Sequence, residues 1–340
     1  MALPGTPARH TALHRALGGL AGAPGGHGGP GEVIAERADA TVVRAGDRVA
    51  KAHAPDAEAG PLRVRVRVAA AAGYRGILLP PVSGGRTVPL PGGRVGSVWP
   101  YGAPVDPADA AAAPWEAAGE LLARLHIAPL PAAGQLPGPL PPMRGPAKAA
   151  RALARMRSAP RGAHAGAAEV VERAWAVLPP WCRNEEPAPE ARTLCHGDFH
   201  LGQLVRYPPP DGPWHLIDVD DLGLGDPAWD LARPAAWYAA GLLAPADWER
   251  FLGAYAHTVR AAAAGPTRPR GNPAGLAGPH PWPYLDAPAR ALTVQGAALG
   301  VAKARTEERQ LDEAEEACVA ACARIAALFA RAELPARQGP

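Results

Sequence analysis

The stretch LCHGDFHLGQL (194–204) sets a glycine, an aspartate, two histidines and a glutamine between leucines. The leucines act as apolar anchors at either end, so the polar centre reads as a loop held between buried ends. After a Pro-rich turn the chain continues WHLIDVDDLGLGDPAWDLA (214–232). Trp214 to Val219 form a short apolar strand that delivers Asp218 at its end. Asp226–Pro227 then supplies the N-cap and first-turn proline of a helix. This hairpin-like return is expected to carry Asp218 toward Asp198.

Two carboxylates and an amide oxygen suit a hard cation such as Mg²⁺, which takes few protein oxygens and completes its shell with water and phosphate. An acid left free of the metal can accept a proton from an attacking hydroxyl. Phosphoryl transfer needs these parts and also a cation on the nucleotide phosphates. Lys51 is the candidate. Of 35 Lys plus Arg, only Lys51, Lys148 and Lys303 are lysines. Where arginine is the default cation, a lysine kept inside an apolar run points to a need for a compact ammonium.

Upstream, EVIAERA, ATVVRAG and DRVAKAHA are three short β-type runs separated by turns, an antiparallel meander with Lys51 near the end of the third. LRVRVRVAAAAGY (62–74) alternates like a strand, but its alanines favour helix, which is the reading adopted. RVGSVWPYG (94–102) is a strand ending in Pro and Gly, as a connector would. WEAAGELLARLH (115–126) is a helix with Leu121, Leu122 and Leu125 on one stripe. Region 129–147 is Pro-rich and two helices follow before residue 180. Helices are also expected over 236–263 and 286–331, joined by the Gly/Pro-rich 265–283. GLAGAPGGHGGPG (19–31) reads as linker, and residues 1–31 together as a flexible Gly/Pro-rich leader. A β-rich part followed by an α-rich part predicts an α+β fold in two lobes.

The 340 residues are 48% hydrophobic, enough for a buried core despite 39 glycines and 42 prolines. A net charge of +3 with interspersed signs offers no concentrated basic stripe for nucleic acid. No apolar run approaches the ~20 residues of a membrane span, and the N-terminus is too interrupted for a signal peptide. The four cysteines form no disulfide framework, which suits a reduced, cytoplasmic protein.

HGDFHLGQ followed by LIDVDDLGLGDPAWDLA resembles the aminoglycoside phosphotransferase / choline kinase-type family, small-molecule relatives of the protein kinases. The resemblance runs from about residue 32 to the C-terminus and is most specific over 193–234. It implies a protein kinase-like two-lobe fold: an N-lobe over 32–97 with an antiparallel sheet, a hinge at 98–102, and a helical C-lobe over 103–335. That C-lobe would carry the catalytic loop 194–204 and the metal-binding segment 214–232. The implied activity is ATP- (or GTP-) and Mg²⁺-dependent phosphorylation of a small-molecule hydroxyl. The implied roles are Asp198 as catalytic base, Asp218 and Gln203 as metal ligands, Lys51 on the α/β-phosphates, and Val98, Trp99 and Tyr101 at the adenine. Gln203 stands where an asparagine is usual, as in the maltokinase branch, although GDPAWDLA fits the aminoglycoside-type branch better.

There are two departures from the pattern. The helix glutamate that should pair with the lysine has no clean counterpart, Glu58 being the nearest candidate, and ERADA (36–40) stands where a glycine-rich phosphate loop belongs. The missing glutamate, together with Gln203 in place of the usual asparagine, motivates one alternative, a nucleotide-binding pseudokinase. His196, Asp198 and His200 motivate another, a phosphohydrolase using a transition metal. Asp220 and Asp221 read as turn acids, with Asp220 able to join the metal shell. Asp230 reads as a brace for the catalytic loop.

Overall fold

Residues 6–22, 31–37, 39–82, 84–132, 134–160, 162–189, 192–264 and 273–332 are described in the structure, a computed structural model. In chain order the N-terminal elements are α1 (Thr6–Ala21), β1 (Glu32–Glu36), β2 (Thr41–Ala45), β3 (Arg48–Ala52), α2 (Ala59–Ala70), β4 (Val88–Pro89), β5 (Val95–Pro100) and β6 (Ala103–Pro104). The middle holds α3 (Trp115–Ile127), α4 (Gly145–Ser158), α5 (Ala165–Ala176), β7 (Thr193–Cys195), β8 (Leu204–Arg206), β9 (Trp214–Leu216) and β10 (Gly223–Gly225). The rest is helical: α6 (Ala228–Ala240), α7 (Pro245–Ala263), the short α8 (Pro273–Leu276), α9 (Trp282–Thr306) and α10 (Glu313–Ala332).

The chain divides into two compact units. One comprises Met1–Pro114, Ala128–Pro141 and Leu201–Leu222, the other Trp115–Ile127, Pro142–His200 and Gly223–Pro340. The first unit is built on an antiparallel sheet of order β1-β2-β3-β5-β4, in which Lys51 of β3 lies opposite Val42 and Ser97. The three short runs thus form the expected meander, β1–β2–β3. Across it lies α1, whose Leu13, Leu17 and Ala21 recur every fourth residue and pack on Val43, Ala50 and Ala52. Burying the two leucines stabilises this layer by about 1.5–3 kcal/mol each. The expected flexible leader is therefore corrected over 6–21, where the i, i+4, i+8 stripe folds onto the sheet. Its Gly-rich stretch 23–30 lies outside the described residues.

The hairpin β8–β9 also belongs to the first unit. It adds to β6 in a three-stranded sheet, and Leu79 N and Leu216 N exchange hydrogen bonds with Leu216 O and Ile77 O at 2.9 and 2.8 Å. These ladder bonds draw 201–222 away from the C-terminal part to which the segment 214–232 was assigned.

The second unit is a helical bundle around α9, which packs against α4, α5, α6 and α10 and is buried along most of its length. Leu121, Leu122 and Leu125 of α3 are buried as the stripe predicts. A Cβ at Gly119 would run into the Phe251 carbonyl, so only glycine lets α3 and α7 approach this closely. The expected helix 236–263 is two helices: Gly241 closes α6 at φ 79° and Pro245 opens α7. The span 286–331 is likewise broken between α9 and α10. Among the described residues no helix is long and apolar enough to cross a membrane.

Candidate active site

In the first unit, Lys51 sits on a strand that buries its outer half, and its side chain is 11% exposed. Its Nζ donates to Asp218 Oδ1 at 2.6 Å and lies 3.0 Å from Asp220 Oδ2. Both acids come from the turn after β9. Asp218 holds φ at 61°, a left-handed conformation that costs about 1–3 kcal/mol and tends to persist where function requires it. The Asp220 amide donates back to Asp218 Oδ1 at 3.4 Å. Burial alone would strip the Lys51 proton, but the charges of Asp218 and Asp220 outweigh it and raise the pKa, so the ammonium persists. Burial would likewise raise Asp220, yet Lys51 and His53 hold its carboxyl well below the usual range.

Gln203 ends the turn Leu201–Gln203 before β8 and is 7% exposed. Its main-chain carbonyl accepts from Ile217 N at 2.9 Å, which sets the residue across the hairpin from the start of the Asp218 turn. Two carboxylates against one ammonium leave a surplus negative charge, and the donors are hard oxygens. The Asp218 and Asp220 carboxylates could hold Mg²⁺ here, and Gln203, facing the Asp218 turn across the hairpin through its main chain, is the further candidate.

Glu58 does not fill the role expected of it. It is exposed at the N-cap of α2 and makes no capping hydrogen bond, while Lys51 takes both of its acids from the 218–220 turn. The chain reaches the same charge balance from a different element. Val98 and Trp99, expected with Tyr101 at the adenine, lie on β5, and Tyr101 follows its end. Trp99 pairs opposite Val49, Tyr101 N donates to Asp47 O at 2.7 Å, and Val98 O accepts from Val82 N at 3.0 Å. These backbone groups are engaged within the unit. The Tyr101 ring lies under the Arg44 guanidinium, 3.5 Å from its centroid.

In the second unit, β7 pairs with β10 and leads into the 196–200 loop. Asp230 of α6, fully buried, accepts from the amides of His196 and Gly197 at 2.6 and 2.8 Å and contacts His126 Nε2 at 2.9 Å. His126 in turn meets the Tyr255 hydroxyl at 2.9 Å. The brace expected of Asp230 thus acts through the loop's backbone.

The braced loop presents Asp198 to two cations, Lys148 Nζ of α4 at 2.5 Å and an Arg233 guanidinium nitrogen of α6 at 2.7 Å. Arg233 Nε also holds the Phe199 carbonyl at 3.1 Å. Burial pushes the Asp198 carboxyl up, but Lys148 and Arg233 more than reverse this, and it stays ionised below its ordinary range. Burial pushes His200 down to about 4 despite Asp198 beside it, so the imidazole is neutral at pH 7.

Lys148 and Arg233 were not assigned to this site from sequence. Lysine scarcity marked Lys148, but nothing in GPAKAARA says which acid it meets. Among the described residues, one group of three potential metal ligands has its donor atoms within 4.8 Å of one another: His126, Cys195 and Asp230. It excludes both Asp198 and His200, and the Asp230 oxygens already serve the loop amides. The structure therefore does not assemble the His196/Asp198/His200 centre.

Solved structures share this fold. A choline/ethanolamine kinase family protein from Mesorhizobium loti aligns with a TM-score of 0.51 at 18% identity, covering 94% of this chain and 95% of its own. A thermostable mutant of aminoglycoside phosphotransferase APH(4)-Ia, in ternary complex with AMP-PNP and hygromycin B, aligns at 0.53 and 14% identity, covering 89% and 96%. Spectinomycin phosphotransferase APH(9)-Ia, with ADP and spectinomycin, aligns at 0.53 and 11% identity, covering 88% and 93%. The fold is therefore protein kinase-like, α+β, with an antiparallel sheet in its N-terminal part and a mostly helical C-terminal part. No curated protein matches the chain significantly. The model of the phosphotransferase enzyme family (APH) matches residues 31–273, and the chain belongs to that family.

Proposed function

We propose that the protein transfers the γ-phosphoryl group of ATP or GTP to a hydroxyl of a small molecule of the aminoglycoside, sugar or amino-alcohol class. The observation that carries this reading is the ion pair between Lys51 and Asp218, 2.6 Å long across 167 residues of sequence. It supports Lys51 as the phosphate-binding ammonium and Asp218, with Gln203, as the holder of Mg²⁺. The metal would neutralise charge on the nucleotide phosphates. The structural neighbours solved with AMP-PNP and hygromycin B, or with ADP and spectinomycin, support the same reaction class.

Asp198 is the residue we assign to the acceptor hydroxyl. Held ionised by Lys148 and Arg233, it is a weak base whose task is mainly to accept the hydroxyl's hydrogen bond and fix its direction. Phosphoryl transfer has a loose transition state, so a weak base suffices: the acceptor oxygen bonds to phosphorus as the bridging P–O bond breaks, and the proton passes late to Asp198. Catalysis then consists of orientation and charge neutralisation. The pseudokinase alternative is motivated by the missing glutamate and by Gln203; the pairing of Lys51 with Asp218 and Asp220 bears on the first of these, and phosphoryl transfer to an acceptor decides between the two readings. The free, buried Cys182, Cys195 and Cys322 fit a cytoplasmic setting, where ATP is abundant.

The test is an ATP-consumption screen over hydroxyl-bearing metabolites and antibiotics with the Asp198→Ala protein as blank. Turnover of the active acceptor should fall about 10²–10⁴-fold in that variant while AMP-PNP affinity is retained. Wild-type turnover in Asp198→Ala would remove the role assignment.

A further inference from the structure

Lys51 touches two acids that differ in how they are held. Asp218 is 34% exposed and begins the left-handed turn. Asp220 is 20% exposed, and its second oxygen, Oδ1, meets His53 Nδ1 at 2.8 Å. The contacts continue inward: His53 Nε2 lies 2.7 Å from Ser97 Oγ, and the Trp99 indole N–H donates to that same oxygen at 2.8 Å. His53 and Ser97 are each 1% exposed. Arg94 closes the outer side, donating to the His53 and Ala52 carbonyls at 2.7 and 2.9 Å.

The donors and acceptors of this chain have one neutral assignment. The indole can only donate, so Ser97 accepts from it. The Asp220 carboxylate can only accept, so a neutral His53 keeps its proton on Nδ1, and its bare Nε2 accepts from the Ser97 hydroxyl. Every polar atom from Trp99 to Lys51 is thereby satisfied in a buried setting, where a broken link costs the full desolvation of the orphaned group.

We propose that Asp220, locked by His53, Ser97 and Trp99, is the acid that positions Lys51 for nucleotide phosphates, taking the place of the missing helix glutamate. Asp218 is thereby left to serve the metal, while Asp220 keeps the ammonium aimed whether or not Asp218 turns away. His53 is a positioning residue: it touches neither phosphate nor metal and acts through Asp220. The inference rests on the reading of Lys51 as the phosphate-binding lysine.

The experiment measures AMP-PNP affinity by titration calorimetry with Mg²⁺ and, for the active acceptor, KM for nucleotide and for acceptor. The variants are Lys51→Met, Asp220→Asn, His53→Phe, His53→Asn, Glu58→Gln and the Asp220→Asn/His53→Phe double. Asp220→Asn and His53→Phe should each weaken AMP-PNP binding and raise the nucleotide KM about tenfold, with acceptor KM unchanged. The double variant should lose no more than either single one, since both break the same chain. His53→Asn, whose amide N–H can replace Nδ1–H toward Asp220, should recover to within about threefold of wild type, a rescue that a packing role for the ring would not give. Glu58→Gln should do nothing. If His53→Phe does not fold, the isosteric Asp220→Asn and His53→Asn decide the matter. Wild-type affinity in Asp220→Asn alongside a damaged Lys51→Met would overturn the relay and leave the functional reading standing. Additive losses in the double variant would overturn it equally, and an undamaged Lys51→Met would overturn both.

Discussion

At Asp198 two cations oppose burial, and the balance sets how the residue can act. Lys148 is the first of the two to remove. In Lys148→Met burial faces Arg233 alone, so the carboxyl pKa rises from its depressed value. The acid limb of kcat/KM should then move to higher pH, and the rate at pH 7 should fall about 10- to 100-fold, the loss of a charge-assisted hydrogen bond of about 1.5–3 kcal/mol. A pH–rate profile on the limb of wild type would contradict the pairing. His200 gives a stability prediction of definite sign. Its folded pKa is about 4 against an ordinary 6.5, so below pH ~6.5 the unfolded chain binds a proton that the folded chain refuses. Stability is lost as pH falls through that window, by up to about 2 kcal/mol at pH 5. His200→Gln should flatten the difference between urea midpoints at pH 7 and pH 5. HGD and LIDVDD single out Asp198 and Asp218 in the sequence because they carry their chemistry in consecutive residues, and Lys51 stands out by the scarcity of lysine. The His53–Ser97–Trp99 relay was not legible. Ser97 and Trp99 lie on β5 and His53 just past the end of β3, brought side by side only by the β3–β5 register, and a histidine in KAHA looks like any residue that follows a strand.

Elements were read best where hydrophobic period was strong and worst where composition blurred it. The α3 stripe and the three-run meander stood out. The helix α1 did not, because TPARHTALHRALGGLA carries glycines, histidines and a proline beside a Gly-rich run and reads as the start of a linker. What orders it is the fit of Leu13, Leu17 and Ala21 to the face of β2 and β3, a tertiary gain that local propensity does not show. Leu17 is fully buried, so Leu17→Ala should lower unfolding stability by about 2–5 kcal/mol in urea titrations, through lost transfer energy and the cavity left behind. A variant within 0.5 kcal/mol of wild type would mean that α1 does not pack on the sheet in solution. The helix over-run at 236–263 has a different cause. Apolar period continues across Gly241 and Pro245, and only backbone φ separates two helices there.

On the scale of the whole molecule, chain order and spatial order disagree. The 201–222 hairpin and the 128–141 segment belong with the N-terminal sheet, although both follow α3 in sequence. Hydrogen bonds from β8–β9 to β6 and to the 77–79 segment make that assignment, and no local pattern announces pairings across more than a hundred residues. The consequence is that Lys51, near the start of the chain, and Gln203, Asp218 and Asp220, past its middle, share one unit. A ligand that binds them selectively stabilises the folded state by RT ln(1 + [L]/Kd), about 2.7 kcal/mol at a hundredfold excess over Kd. Mg·AMP-PNP should therefore raise the melting temperature of the protein by several degrees. It should do so equally in Asp198→Ala, whose altered group is assigned to the acceptor. In Lys51→Met the shift should largely vanish, because the ammonium is the cation assigned to the phosphates, and Asp218→Asn should lose the magnesium-dependent part alone. A scan in which Asp198→Ala loses the shift while Lys51→Met keeps it would reverse the roles given to the two groups.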